Sequence, residues 1–215
     1  MLDVHPPNEP VYRWRDFFIH LATITIGLLI ALSLEGCVEW QHHRHLVHEA
    51  EKGLRGEIKA NAGLLPGVIE DLHREQAVLK KDVAVVNKII ASPHVVNRED
   101  MTISYKIRSF NNVSWKTSQT TGALSYMPYA EAHEYSDIYG QQNDIEAAQH
   151  QGVRDTVIAI APFLNLKAGD PNPTGDEAAR IKNNLEILQG QLIYQESLVA
   201  VLDDEYKKFL AAHPE

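Results

Sequence analysis

The longest apolar stretch of the chain runs from Phe17 to Leu34, and His20 is its only titratable side chain. A helix of this length spans about 27 Å, which approaches the thickness of the hydrocarbon core of a bilayer. Core helices of soluble proteins rarely stay apolar on every side over such a distance. The pattern therefore predicts a transmembrane helix over residues 16–36, after a Pro-rich N-terminal tail over residues 1–15.

The residues that flank this stretch favour a single-pass protein with its N-terminus in the cytoplasm. Tyr12, Trp14 and Trp40 occupy positions where aromatic belts meet the membrane surface. Arg13 and Arg15 precede the stretch, whereas the first charges after it are acidic. The positive-inside rule then places residues 37–215 outside the cytoplasm. We expect a bacterial inner membrane protein whose C-terminal domain lies in the periplasm.

Two alternatives to a retained membrane anchor stay open at this point. The sequence Leu34-Glu35-Gly36-Cys37 resembles a bacterial lipoprotein cleavage site, although Glu35 departs from the small or apolar residue expected there. A buried helix of a soluble protein is the other alternative. Cys37 is the only cysteine, so an intrachain disulfide is impossible.

Small side chains recur at every fourth residue of the predicted span, at Thr23, Gly27 and Ala31. This spacing places them on one helix face, where they would let a second membrane helix approach closely. The face is a candidate for packing against another span, although small residues are common in spans generally.

Beyond the span, apolar residues recur with heptad spacing along residues 40–91 and 176–212, which predicts two long helices. In the first region the seams consist of Ile58, Leu65, Leu72, Leu79 and Val86, and of Ala62, Ile69, Gln76, Val83 and Ile90. In the second they consist of Ile181, Leu188, Gln195, Leu202 and Phe209, and of Leu185, Leu192, Val199 and Tyr206. A kink is expected near Leu64, because Gly63, Pro66 and Gly67 interrupt the first helix.

Each long region carries one glutamine among its apolar seam residues, Gln76 in the first and Gln195 in the second. If the helices pack antiparallel with these two residues in one layer, apolar residues face each other along the whole length. A buried amide needs a partner, so a hydrogen bond between Gln76 and Gln195 is predicted to fix this register. The alternative is that each glutamine lies at an exposed edge of its seam.

Residues 99–166 are predicted to form the middle helices of the bundle. Helical apolar spacing runs through Tyr135, Ile138, Tyr139, Ile145, Val153, Val157, Ile160 and Leu164. The long helix that it predicts could break at Gly140 or Gly152. Strand-like alternation is confined to the short stretch 101–107. The sequence therefore predicts an all-α fold, in which the transmembrane helix continues into a long heptad helix of an antiparallel bundle with short inserted helices.

Two groups of side chains are candidates for binding. His42, His45, His48 and Glu49 lie about one helical turn apart and could hold a metal ion, or could form a solvated segment next to the membrane. The aromatic group consists of Trp115, Tyr126, Tyr129, Tyr135 and Tyr139. It could line a ligand pocket or fill the core.

Composition and motifs argue against several functional classes. The net charge of −9 and the absence of a basic cluster make nucleic acid an unlikely partner. Neither a nucleophile motif nor a phosphate-binding glycine loop occurs in the sequence. We therefore expect no enzymatic activity and no cofactor.

Two stretches resemble uncharacterised bacterial single-pass membrane-anchored proteins of unknown function. The first is "ITIGLLIALSLEGCVEW", which is followed by a polar helix carrying "EIKAN". The second is "SWKTSQTTGALSYMPYAEAHEYSDIYGQQ", which is similar to the middle block of those proteins. The resemblance implies a single membrane anchor and an α-helical extracytoplasmic domain, and it supplies no catalytic residues.

The sequence thus favours a non-enzymatic scaffold or accessory subunit of an envelope complex. Its expected partners are membrane lipid and either its own copies, in a homo-oligomer, or other envelope membrane proteins. A periplasmic sensor or ligand-binding module that acts through a partner is the alternative, and a metal-binding protein is the second alternative. A filled core in the aromatic region would favour the scaffold, and a polar-lined cavity there would favour the sensor.

Overall fold

The computed structural model of this chain describes residues 14–92, 101–164, 166 and 170–214. Within these ranges the fold is all-α, which confirms the predicted fold class. The α-helices are α1 (Trp14–Ala91), α2 (Val113–Thr120), α3 (Tyr129–Leu164) and α4 (Asp176–Ala212), and a short 3-10 helix (Ala123–Tyr126) follows α2. Most of the predicted N-terminal tail lies outside the described residues.

The chain divides into two compact units, and residues 14–49 are the described part of the first. These residues all belong to α1. The apolar window within them has a mean hydropathy of 2.2, and none of it is buried. By length and composition, this helix could cross a membrane.

The few hydroxyl groups of the apolar stretch are bonded within the helix. Thr23, Thr25 and Ser33 donate to the backbone carbonyl four residues earlier, at 2.8, 2.8 and 2.6 Å. A hydroxyl without a partner would be costly in hydrocarbon, so these bonds suit a helix surrounded by lipid.

The second unit begins at Ala50 and contains the rest of α1 together with α2, α3 and α4. The predicted first seam of α1 and both predicted seams of α4 are confirmed, because all of their residues are buried. The buried residues of these seams are Ile58, Leu65, Leu72, Leu79 and Val86 of α1, and Ile181, Leu185, Leu188, Leu192, Gln195, Val199, Leu202, Tyr206 and Phe209 of α4.

The second seam predicted for α1 is wrong by one position. The buried residues on this flank are Asn61, Val68, Glu75, Asp82 and Ile89. Ala62, Ile69, Gln76 and Val83 are only half-buried, and Ile90 is exposed. Residues three and four positions after a seam residue both lie beside it on the helix surface. The apolar pattern therefore predicts that the more apolar of the two is buried. Asn61, Glu75 and Asp82 are buried although each is the more polar choice, whereas the buried residue is apolar at Val68 and Ile89.

The break that was expected in α3 at Gly140 or Gly152 does not occur, and α1 is also continuous, so the kink near Leu64 stays a prediction. α1 stays helical at Leu64 and through Pro66, and α3 stays helical at Gly140 and Gly152. A proline inside a helix removes one backbone hydrogen bond but does not have to end the helix.

The C-terminal half of α3 buries a different face from the one predicted. Its buried residues are Ala148, Gln149, Gly152, Thr156 and Ala159, whereas Val153 and Ile160 are half-buried and Val157 and Leu164 are exposed. The reason is Tyr105, whose ring lies against the backbone of Gly152. A Cβ atom added to Gly152 would lie 2.5 Å from the Tyr105 hydroxyl oxygen, so this approach requires glycine.

Candidate functional site

Residues 101–112 form neither helix nor strand and are here called the extended segment. Burial alternates along both of its halves. Met101, Ile103, Tyr105, Arg108, Phe110 and Asn112 are half-buried, and the residues between them are exposed. Alternation of this kind is typical of an extended chain with one face turned to the protein. Because the segment has no neighbouring strand, its backbone N–H and C=O groups need other partners.

Those partners come mainly from a polar row on α1. The row consists of the buried residues Glu57, Asn61, Asp71, Glu75 and Asp82. At one end of the row, Asp82 Oδ1 accepts the backbone N–H of Thr102 at 3.0 Å. One heptad earlier, Glu75 Oε1 accepts the backbone N–H of Lys106 at 2.7 Å. Carboxylates thus bind the segment where a neighbouring strand would otherwise bind it.

Two side-chain amides each bond both backbone groups of one residue in the segment. Asn61 accepts the N–H of Asn111 at 2.9 Å and donates to its carbonyl at 2.8 Å. Gln149 of α3 does the same to Arg108, at 2.8 and 2.9 Å. The two amides come from different helices, so the segment connects α1 with α3.

Glu57, the last member of the polar row, lies on α1 beside the first residues of α2. Its carboxylate accepts the backbone N–H of Ser114 at 2.8 Å, and the hydroxyl of Tyr139 donates to it at 2.6 Å. The Tyr139 ring stacks on Trp115 with a centroid distance of 4.9 Å. Since the first N–H groups of a helix have no partner within it, Glu57 supplies acceptors to α2 from outside. Burial, reinforced by the Glu57 carboxylate, raises the pKa of Tyr139.

The spacing of these contacts shows that the segment runs antiparallel to α1. From Asp82 back to Glu57, the helix rises about 38 Å at its standard pitch. From Thr102 to Ser114, an extended chain covers about 40 Å. The equal lengths allow the polar row to bond the segment from end to end.

Asp71 is the most crowded member of the polar row. It pairs with Arg74 of its own helix, and with Lys106 at 3.3 Å and Arg108 from the extended segment. An unpaired buried carboxylate would be strongly destabilising, so these cations are what make its burial tolerable. The Lys106 side chain therefore binds the same helix as its own backbone N–H, whereas Arg108 binds α1 through its side chain and α3 through its backbone.

The hydrogen bond predicted between Gln76 and Gln195 is replaced by other bonds in the described part of the chain. Gln76 donates to Glu196 at 2.8 Å, so α1 and α4 do approach each other near the predicted layer. Buried Gln195 accepts the Tyr105 hydroxyl at 2.8 Å and donates to the carbonyl of Ala148 at 3.1 Å. Buried Gln195 does have hydrogen-bond partners, as predicted, but they are Tyr105 and Ala148, and the sequence does not show that Tyr105 lies beside it.

A groove of about 510 Å³ lies between α1 and the extended segment. Its walls include Asp71, Arg74 and Glu75 of α1, with Tyr105 and Lys106 facing them. Burial raises the pKa of Glu75 to about 7, although the N–H and charge of Lys106 and the charge of Arg74 act in the opposite direction. Burial also raises the pKa of Tyr105 to about 12.

The predicted metal site does not form in the described ranges. There, no group of three or more histidine, cysteine, aspartate or glutamate side chains is placed to hold a metal ion. The exposed residues His42, His45, His48 and Glu49 follow one another along the surface of α1. Side chains on one straight helix diverge, so such a row usually supplies two ligands at most and needs a third from elsewhere.

The aromatic group does not line one pocket. Tyr135 and Tyr139 are buried in the core, and half-buried Trp115 stacks on Tyr139. Tyr126 and Tyr129 are exposed. The tyrosines therefore belong partly to the core and partly to the surface, and the groove lies elsewhere, beside Tyr105.

The small-residue face of the first unit is exposed along its length at Thr23, Gly27 and Ala31. A Cβ atom added to Gly27 would meet no atom within 4 Å. The face therefore has room for another helix, and its packing stays a prediction.

Comparison of the chain with protein-family models, curated proteins and solved structures finds no match. The family resemblance therefore stays a prediction, and any function assigned to this chain rests on its own residues and geometry.

The apolar pattern missed the polar row, but the sequence does contain a signal for it. Asn61, Glu75 and Asp82 fall on one heptad series, together with Val68 and Ile89. A polar residue that recurs at a seam position is either exposed, or buried and bonded to a polar partner, and both outcomes fit the pattern. The sequence does not show which segment supplies that partner, although the alternating stretch 101–107 belongs to it.

Proposed function

We propose that this chain is a single-pass protein of a bacterial inner membrane that acts as a non-enzymatic scaffold or accessory subunit of an envelope complex. The observation that carries the proposal is the apolar, wholly exposed stretch from Phe17 to Leu34, in the same chain as an all-α unit with a packed core. Exposed apolar surface of this extent needs lipid or protein around it.

The second unit supports a role through contacts. The carboxylates of its polar row accept backbone N–H groups or pair with cations, so they serve the fold. The aromatic region that was a candidate pocket contains the buried residues Tyr135 and Tyr139. A filled interior is the feature that favours a scaffold over a sensor.

Cys37 allows a direct test of the membrane topology, because it is exposed and is the only cysteine. In cells with a permeabilised outer membrane, a membrane-impermeant maleimide should label Cys37 in the full-length chain. The matched variant Cys37→Ser/Asp3→Cys should be labelled only after lysis. Labelling in the reverse pattern would refute the orientation, and a shortened, acylated chain would show a lipoprotein instead.

The contact role is tested by extraction of the tagged chain in mild detergent and identification of the proteins that co-purify with it. A reproducible envelope partner, still retained by a Cys37→Ser variant, is expected. A chain that is released from membranes by alkaline carbonate, without detergent, would refute the anchor on which the role depends.

A ligand-binding module is the second candidate, and the groove beside Glu75 is the observation in its favour. Native mass spectrometry of the extracted protein would detect a retained small molecule. A Lys106→Ala variant should lose that molecule if the groove holds it, whereas Lys182→Ala, which alters a half-buried residue of α4 outside the groove lining, should keep it.

A further inference from the structure

The side of α4 opposite its core seams carries a second heptad series, here called the outer stripe. The outer stripe consists of Asp176, Arg180, Asn183, Ile187, Gly190, Tyr194, Ser197, Val201, Asp204 and Lys208. All of these residues are exposed. Alternating steps of four and three residues keep them on one helix face over about 48 Å. A surface helix does not need large apolar side chains on this face to pack into its own bundle.

The centre of the outer stripe is apolar, and its ends are charged. Ile187, Tyr194 and Val201 are 52%, 53% and 45% exposed, although they are large apolar or aromatic residues. Ile193, beside the stripe, is exposed as well. Small residues, Gly190 and Ser197, separate the large ones. A line of large and small side chains is suited to interdigitation with another helix.

The order of charges along the stripe identifies the partner. Two copies of α4 that pair antiparallel about a two-fold axis near position 192 place Asp176 opposite Lys208 and Arg180 opposite Asp204. The same register places Ile187 opposite Ser197 and Tyr194 opposite Gly190, so that large side chains meet small ones. A parallel pair in register would instead place each charge against its own like charge.

We propose that the outer stripe is the surface through which two copies of this chain associate, with their α4 helices antiparallel. Within the described residues Arg180 has no ion-pair partner, and Asp204 pairs only with Lys208 of its own helix, at 2.5 Å. Association gives Arg180 a carboxylate and removes the apolar centre from water. This inference names the partner surface for the proposed contact role, but it does not depend on membrane anchorage.

The first test is the mass of the full-length chain in detergent micelles, by size-exclusion chromatography with light scattering. The native chain should form a dimer, and Tyr194→Glu should raise the dissociation constant at least about thirtyfold. The matched control Ile158→Glu alters an equally exposed residue of α3 and should leave the dimer intact. A native monomer at all accessible concentrations, or a dimer indifferent to Tyr194→Glu, would overturn the proposal.

Charge reversal tests the register. Arg180→Glu and Asp204→Arg should each raise the dissociation constant by about three- to tenfold, and the double variant should restore it to within about threefold. Failure of the double variant to restore association would overturn the antiparallel register.

Disulfide formation provides a second measurement of direction, in a Cys37→Ser background. Ile187→Cys combined with Ser197→Cys should cross-link two copies, whereas Ser197→Cys alone should not, because its two sulfurs would lie about 15 Å apart along the axis. Cross-linking by Ser197→Cys alone would show a parallel pair and refute the proposal. Both measurements remain valid if the chain has no envelope partner.

Discussion

Replacement of Glu75 by glutamine should remove much of the pH dependence of stability of the second unit. Glu75 is buried and accepts the Lys106 N–H, and its pKa is raised to about 7 from 4.5. The folded state therefore binds more protons than the unfolded state between these values. By linkage, the stability that Glu75 contributes is fully present below pH 4.5 and is lost as the pH rises through 7.

The size of the effect follows from the shift. A difference of about 2.5 between the folded and unfolded pKa values corresponds to at most about 3.4 kcal/mol, and we expect about 1–2 kcal/mol because the groove admits water beside the carboxylate. Burial raises the pKa of Asp82 and of Glu205, so both act in the same direction. Glu196 acts in the opposite direction, because hydrogen bonds from Gln76 and His73 lower its pKa.

The assay is urea unfolding in detergent at several pH values from 5 to 8, followed by tryptophan fluorescence. The free energy of unfolding of the native chain should fall over this range, and Glu75→Gln should flatten the fall, since its amide oxygen still accepts the Lys106 N–H. Glu70→Gln, which removes an exposed carboxyl from the same helix, is the control. Equal slopes for the native chain and Glu75→Gln would refute the reasoning, as would a native stability that rises with pH. Hydrogen exchange at the Lys106 amide would locate the effect in the extended segment.

Other substitutions test the packing of the extended segment. Gly152→Ala should destabilise the second unit by about 1–3 kcal/mol, because its methyl group would overlap the ring of Tyr105, whereas Gly140→Ala has open space and should be neutral or slightly stabilising. Unfolding curves that do not separate these two variants would contradict the close contact. Asn61→Leu should lower the free energy of unfolding by about 2–3 kcal/mol, because it leaves both backbone groups of Asn111 without partners. A loss below about 0.5 kcal/mol would show that water replaces this amide.

The sequence predicted those parts of the fold that depend on apolar burial alone. Leu65, Leu79 and Leu188 repeat at heptad spacing, and each of them is buried. In this case one physical effect, removal of apolar surface from water, determines both the pattern and the outcome. The all-α class, the two long helices predicted over residues 40–91 and 176–212, and the core face of α4 all follow from this effect.

The polar contacts could not be predicted in the same way, because they depend on residues far apart in the chain. Asn61 and Glu75 are buried only because residues 106 and 111 supply backbone groups for them. Likewise Gly152 faces the core since Tyr105 occupies the space beside it. A side chain of this kind is buried or exposed according to its partner, and periodicity carries no information about that partner.

The polar row gives the second unit a register that its apolar seams do not provide. A bundle of Leu, Ile and Val seams can slip by one heptad and still bury similar residues. If α1 slipped by seven residues, the position of Asn61 would be taken by Leu54 or Val68, according to direction. Neither side chain can bond the backbone of Asn111, and both groups of that residue would lose their partners. The buried polar residues therefore disfavour a register that has slipped by one heptad, which explains why Asn61 occupies a seam position where an apolar residue would pack equally well.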